Sequence, residues 1–237
     1  LAGIVAVFWL LSKGCKREGG SLKPASPSSS DGKGFASVSP REPVLAGSRG
    51  TWKIIYKAGT DGISVGGGIA LQVSPFWGWT NPQTKDPSLP GYTTAKIEAK
   101  GVKSDGSVGL EIYSGDNYYA VAKIHGRKLA EGEGVVFTYG DTSDGKYPDA
   151  MATADSFAES EEKFLIKVDG DGDGNFFSIP NSPTIEIRGG QAVALVLTAP
   201  TLALRGEPFQ VHLAALDTYA NRASSYTGEV KIGSEGA

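Results

Sequence analysis

Residues Thr51–Thr94 read TWKIIYKAGTDGISVGGGIALQVSPFWGWTNPQTKDPSLPGYTT, and this stretch decides the fold class. It opens on a strand-like run, Thr51 to Lys57, passes through glycines, and resumes as a second apolar run, Ile69 to Val73. Phe76-Trp77-Gly78-Trp79 follows, then a loop punctuated by Pro82, Pro87 and Pro90. Two β-branched and aromatic runs separated by turn-formers are the signature of strands rather than helices. No window of the chain repeats apolar residues at helical spacing over three turns.

Outward from this stretch the same pattern continues. Thr93–Lys100, Val108–Ile112, Tyr118–Ile124, Gly134–Tyr139, Phe164–Val168, Thr184–Ile187, Ala192–Thr198, Phe209–Leu216 and Glu229–Ile232 join Thr51–Ala58 and Gly68–Val73 as expected strands. In Ile97-Glu98-Ala99-Lys100 and Thr184-Ile185-Glu186-Ile187 apolar and polar residues alternate, so one face is buried and the other wet. Asp-Gly turns at Asp61-Gly62, Asp105-Gly106 and Asp144-Gly145 separate the runs. Ala152–Glu162 is the one stretch expected to form a short helix or a loop. With 33 glycines and 13 prolines in 237 residues, the chain reads as all-β: an antiparallel β-sandwich followed by the truncated start of an immunoglobulin-like β-sandwich domain.

Four regions are expected. Residues 1–15 contain the apolar run LAGIVAVFWLL and read as a signal or lipoprotein signal segment, with Ser12-Lys13-Gly14-Cys15 as an imperfect lipidation box. Cys15 is then either a lipidated residue that anchors the chain to a membrane or an incidental thiol beside an uncleaved anchor. Residues 16–43 are rich in Ser, Pro, Gly and Lys and are expected to be a flexible tether. Residues 44–190 form the sandwich, and 191–237 the partial immunoglobulin-like domain. Both ends read as cut, so a fragment of an exported envelope protein is expected.

Charge and chemistry narrow the function classes. The net charge of −3, with both signs mixed along the chain, leaves no basic footprint for nucleic acid. A single cysteine permits no internal disulfide, in keeping with a bacterial exported protein. Asp169-Gly170-Asp171-Gly172-Asp173-Gly174-Asn175 reproduces the first half of a calcium loop, because alternate carboxylates can turn inward on one hard cation. Asp169, Asp171, Asp173 and Asn175 are therefore candidate calcium ligands. Position twelve of that loop is Pro180 rather than a glutamate, and the bland alternative is a solvated hairpin turn. Trp77, Trp79 and Tyr92 are candidates for an aromatic platform that stacks on a glycan, against the alternative that the tryptophans cover the core. His125 and His212 lack a second histidine at ligand spacing, and no catalytic constellation emerges.

Gly50-Thr51-Trp52, Gly62-Ile63, Gly66-Gly67-Gly68-Ile69, Trp77-Gly78-Trp79, Pro82-Gln83, Asp86-Pro87 and Gly91-Tyr92 form an ordered set. Phe157-Ala158-Glu159-Ser160, Val168 to Gly174, Ile179-Pro180, Gly206-Glu207-Pro208 and Asp217 with Asn221 continue it. Together they resemble the N-terminal region of a bacterial family catalogued as domain of unknown function thirty-six-oh-four. The resemblance implies β modules ahead of a metal-dependent, amidohydrolase-like domain, whose ligand motifs would lie downstream. The expected function is thus a non-catalytic accessory region of an exported hydrolase, partnered by the downstream domain of its own chain. A glycan-binding module of a surface lipoprotein, or an adhesin spacer, is the alternative.

Overall fold

The computed structural model describes residues 26–75, 78–98, 107–115, 118–231 and 233. The expectations placed on Cys15 and Trp77 lie outside the described residues. The chain is all-β, with sixteen strands among the described residues: β1 (Phe35–Ser39), β2 (Val44–Leu45), β3 (Arg49–Gly50), β4 (Trp52–Lys57), β5 (Gly68–Gln72), β6 (Thr93–Glu98), β7 (Val108–Ser114), β8 (Ala120–Gly126), β9 (Gly134–Tyr139), β10 (Ala152–Thr153), β11 (Glu159–Lys163), β12 (Leu165–Asp169), β13 (Phe177–Ser178), β14 (Thr184–Arg188), β15 (Ala194–Thr198) and β16 (His212–Leu216). Among the described residues no helix is long and apolar enough to cross a membrane.

Two antiparallel sheets enclose the core. One runs β1-β4-β9-β6 and the other β13-β12-β5-β8-β7. The period of two in β4 sends Trp52, Ile54 and Tyr56 inward, opposite Tyr139, Phe137 and Val135 of β9. From the second sheet Ile69 and Leu71 of β5 meet the same core, flanked by Val168 and Ile166 of β12 and by Ala122 and Ala120 of β8. As the central strand, β5 is buried from Gly68 through Leu71, which explains why it reads as a continuous apolar run rather than an alternating one. Interdigitation of the two inner faces supplies the apolar burial that holds the layers together.

Three expectations are corrected here. Phe35–Ser39, assigned to the tether, forms β1 on the edge of the first sheet, paired in register with Lys53–Lys57. Val38 is buried and Ala36 packs against the core, opposite Ile54 and Tyr56 of β4, while Ser37 and Ser39 lie on the other face. Ala152–Glu162 contains no helix: it forms β10, a turn, and the start of β11. The sequence ESEEK has little intrinsic strand preference, and β11 forms because the edge of β14 offers it a ladder. Glu229–Lys231, described up to residue 231, is not a strand.

The C-terminal region contributes a two-stranded antiparallel sheet of β15 and β16, paired Ala194↔Leu216 through Thr198↔His212. Its apolar residues Val193, Leu195, Leu197, Val211 and Leu213 are exposed. Asp217 fastens this hairpin. Its carboxylate accepts N–H bonds from Gly190 at 2.8 Å, Tyr219 at 2.9 Å and Asn221 at 2.8 Å, and a side-chain bond from Asn221 Nδ2 at 3.0 Å. The Asn221 amide then reaches the sandwich, donating to Ser156 O and accepting from Ala158 N, both at 2.8 Å.

Candidate functional site

The loop joining β12 to β13 carries the expected calcium ligands. Asp169, at the end of β12, is buried, and its two carboxylate oxygens accept N–H bonds from Gly172 at 2.8 Å and Gly174 at 3.0 Å. Gly172 and Gly174 hold φ of +88° and +90°, which side chains with a Cβ adopt at a cost. Asp171 accepts from Asp173 N at 3.1 Å, and Asp173 from Asn175 N and Nδ2, both at 2.8 Å. These bonds are successive Asx turns that shape the loop from within.

Asp169 and Asp171 converge with Asp31, one carboxylate oxygen from each lying within 4.8 Å of the others, and Asp173 is not in that group. Asp31 was missed because it sits in a Ser-rich tract with no strand or motif to mark it; Asp31-Gly32 was its only signal. Its carboxylate accepts from Ser28 N at 2.7 Å and Gly170 N at 2.8 Å, which pins the 28–32 turn onto the loop. The approach is close enough that a Cβ on Gly170 would meet Ser30 O at 2.4 Å. Burial works against ionisation of Asp31, yet the Gly170 and Ser28 donors outweigh it and hold the carboxyl below its ordinary value. Asp169 goes the other way. Burial pushes its carboxyl up, the Gly172 and Gly174 donors oppose this, and the Asp173 and Asp171 charges add to the rise. All donors in this group are carboxylate oxygens, the ligand type of calcium and magnesium.

Of the residues named for an aromatic platform, Trp79 takes the core position that was the alternative. Trp79 is 5% exposed and lies in the core, edge-on to Trp52 at 5.2 Å between centroids and near Phe164 at 5.6 Å and Tyr139 at 6.1 Å. Gly78, just before Trp79, has φ +102°. Tyr92 is half-buried and pairs through its backbone with Gln83 in a parallel bridge. The proline-rich loop before it is organised by one amide. Gln83 Nε2 donates to Asp86 O at 2.6 Å, and Gln83 Oε1 accepts from Lys85 N at 2.9 Å and Asp86 N at 3.0 Å.

A groove of about 420 Å³ opens instead on the outer face of the five-stranded sheet. Ala70 and Val121 floor it, and Tyr113, Tyr119 and Phe176 stand around it. Lys167 Nζ lies 5.0 Å over the Tyr119 ring, a cation–π contact. A smaller hollow that shares Tyr113 and Phe176 continues from the groove to Asp169 and Asp173. These aromatics escaped the sequence reading because they are spread over Ile112–Tyr119 and Phe176, far apart until the strands pair. His125 contacts Glu111 at 3.0 Å on the surface, and His212 stands on β16, so the two histidines belong to different sheets. Searches against protein-family models and against curated proteins find no match to this chain.

Proposed function

We propose that this chain is a non-catalytic β-sandwich accessory region that holds another folded part of its own protein, the front of an exported metal-dependent hydrolase of the bacterial envelope. One observation carries the reading: β15 and β16 turn apolar side chains to solvent, with Leu195 48% and Leu197 50% exposed, while Asp217 and Asn221 bolt the hairpin to the sandwich. An apolar surface of this kind, rigidly presented, is what a partner domain covers. The family resemblance supplies the identity of that partner. Removing residues 44–190 from the longer protein tests the proposal. Turnover or thermal stability of the catalytic part is expected to fall, and a catalytic part unchanged in both respects would refute it.

A second reading, glycan binding, is favoured by the groove formed by Tyr113, Tyr119 and Phe176 beside Lys167. Flat rings next to polar groups offer stacking and hydrogen bonding to a sugar. Affinity electrophoresis in soluble polysaccharides checks it. Retardation that disappears in Tyr119→Ala supports the groove as the site, and unretarded wild type in every polysaccharide ends the reading.

A further inference from the structure

A second carboxylate cluster lies at the seam between the sandwich and the hairpin. Asp155 is fully buried. Its Oδ1 accepts the Phe157 N–H at 2.7 Å, and its Oδ2 is buried without a hydrogen-bond partner. A buried carboxylate oxygen left this way is unfavourable unless something else balances it. Glu159 and Glu162 of β11 bring their carboxylates to it, with one oxygen from each of the three residues within 4.8 Å of the others. In a regular strand residues three apart face opposite sides. Here the register slips: Glu159 pairs with Ile187 and Glu162 with Ile185, so three steps on β11 match two on β14. This bulge turns both glutamates to one side, the local device that re-aims side chains at sites.

Burial, and then Glu159 and Asp155, push the Glu162 carboxyl up to about 7. The indole of Trp79 approaches Glu162 from the core side, and its N–H is buried short of full hydrogen-bond geometry.

We propose that Asp155, Glu159 and Glu162 bind a hard divalent cation, calcium in the first place. Calcium takes oxygen ligands at about 2.3–2.6 Å, so oxygens on opposite sides of one ion lie about 4.6–5.2 Å apart, and the observed spread fits within that span. Thiolate and imidazole, the ligands that favour zinc, are absent from the group. Glu159 is exposed, and an open groove of about 380 Å³ beside Glu159 and Glu162 gives solvent and ion access. The ion would also stiffen the Ser156–Ala158 turn that Asn221 grips, and so hold the hairpin to the sandwich.

The test uses the full chain, stripped with chelator, in an Asp31→Asn/Asp171→Asn background that removes two of the three carboxylates gathered at the other acidic loop. Isothermal titration with calcium chloride is expected to show one remaining site. Adding Glu159→Gln, an exposed position where folding is preserved, should weaken that site about tenfold or more, since affinity follows the ligand charge count. Asp155→Asn should do the same, and a melting transition like the parent's shows that it folds. A background chain that binds no calcium, or a Glu159→Gln chain that loses less than about tenfold in affinity, overturns the proposal.

Discussion

Replacing Asp217 should open the clasp between the hairpin and the sandwich. In Asp217→Ala four acceptor interactions go: those from the Gly190, Tyr219 and Asn221 N–H groups and from Asn221 Nδ2. Hydrogen bonds to a charged acceptor contribute about 1.5–3 kcal/mol each, but water replaces part of the loss and the four act together, so we expect about 3–5 kcal/mol. Asp217→Asn keeps an oxygen and turns an amide N–H₂ toward existing donors, and about 2–3 kcal/mol should follow. The loss is local, because among the described residues β15 and β16 form a sheet of their own, separate from the sheets of the sandwich. Hydrogen exchange read residue by residue is the assay. Protection of the Gly190, Tyr219 and Asn221 amides should fall about 10²-fold in Asp217→Asn, while β4 and β9 stay protected.

The pH dependence follows with a definite sign. Burial opposes the Asp217 charge, but the Gly190 and Asn221 donors outweigh it and hold the carboxyl below its ordinary value. A carboxyl depressed in the folded state stabilises it fully above the unfolded pKa of about 3.9, and that contribution is lost as pH falls through the folded value. The parent clasp should therefore weaken in acid, and the Asp217→Asn clasp should not change there. Exchange at Gly190 and Asn221 unaltered by the substitution at neutral pH would refute the reasoning.

Other outcomes follow from the same contacts. Phe164→Ala empties a site 1% exposed among Trp52, Trp79 and Tyr139, and urea melts should show about 3–5 kcal/mol of destabilisation. Arg127→Met removes the charge partner that holds the buried Glu133 carboxylate at 2.7 and 2.8 Å; about 3–5 kcal/mol should be lost, with less lost when Glu133→Gln is added. Gln83→Ala should leave the melting temperature nearly unchanged but speed exchange at Lys85 and Asp86, whose N–H groups the side chain holds. If calcium binds the folded loop at Asp31, Asp169 and Asp171, saturation at a hundred times Kd should raise stability by about 2.7 kcal/mol, and Asp31→Asn should reduce that gain in chelator-controlled melts.

The layered β architecture was readable wherever side-chain period and burial agree. Trp52, Ile54 and Tyr56 alternate with Lys53 and Lys57, and Gly134–Tyr139 forms with the expected bounds. Two strands were not readable: in β1 the alternation of Ala36 and Val38 with Ser37 and Ser39 is too short to stand out from a Ser-rich tract, and β11 carries Glu where a pattern would need apolar residues. The sites show the same division. The Asp169–Asn175 spacing is a local signal and was found, but Asp31 joins it from 139 residues away along the chain through its bond to Gly170. Asp155, Glu159 and Glu162 could not be grouped from spacing, because the bulge that aligns them exists only once β11 pairs with β14. Trp79 could be read from the sequence as a sugar platform or as cover for the core, and the structure places it in the core.

The closeness of Trp52 and Trp79 has an optical consequence. Two indoles 5.2 Å apart at 76° share their electronic excitations, so the folded chain should carry an exciton couplet in circular dichroism. One ring comes from β4 and the other from the loop after β5, so the couplet reports the two layers closing on each other and vanishes in any loosened state that keeps its strands but not its side-chain order.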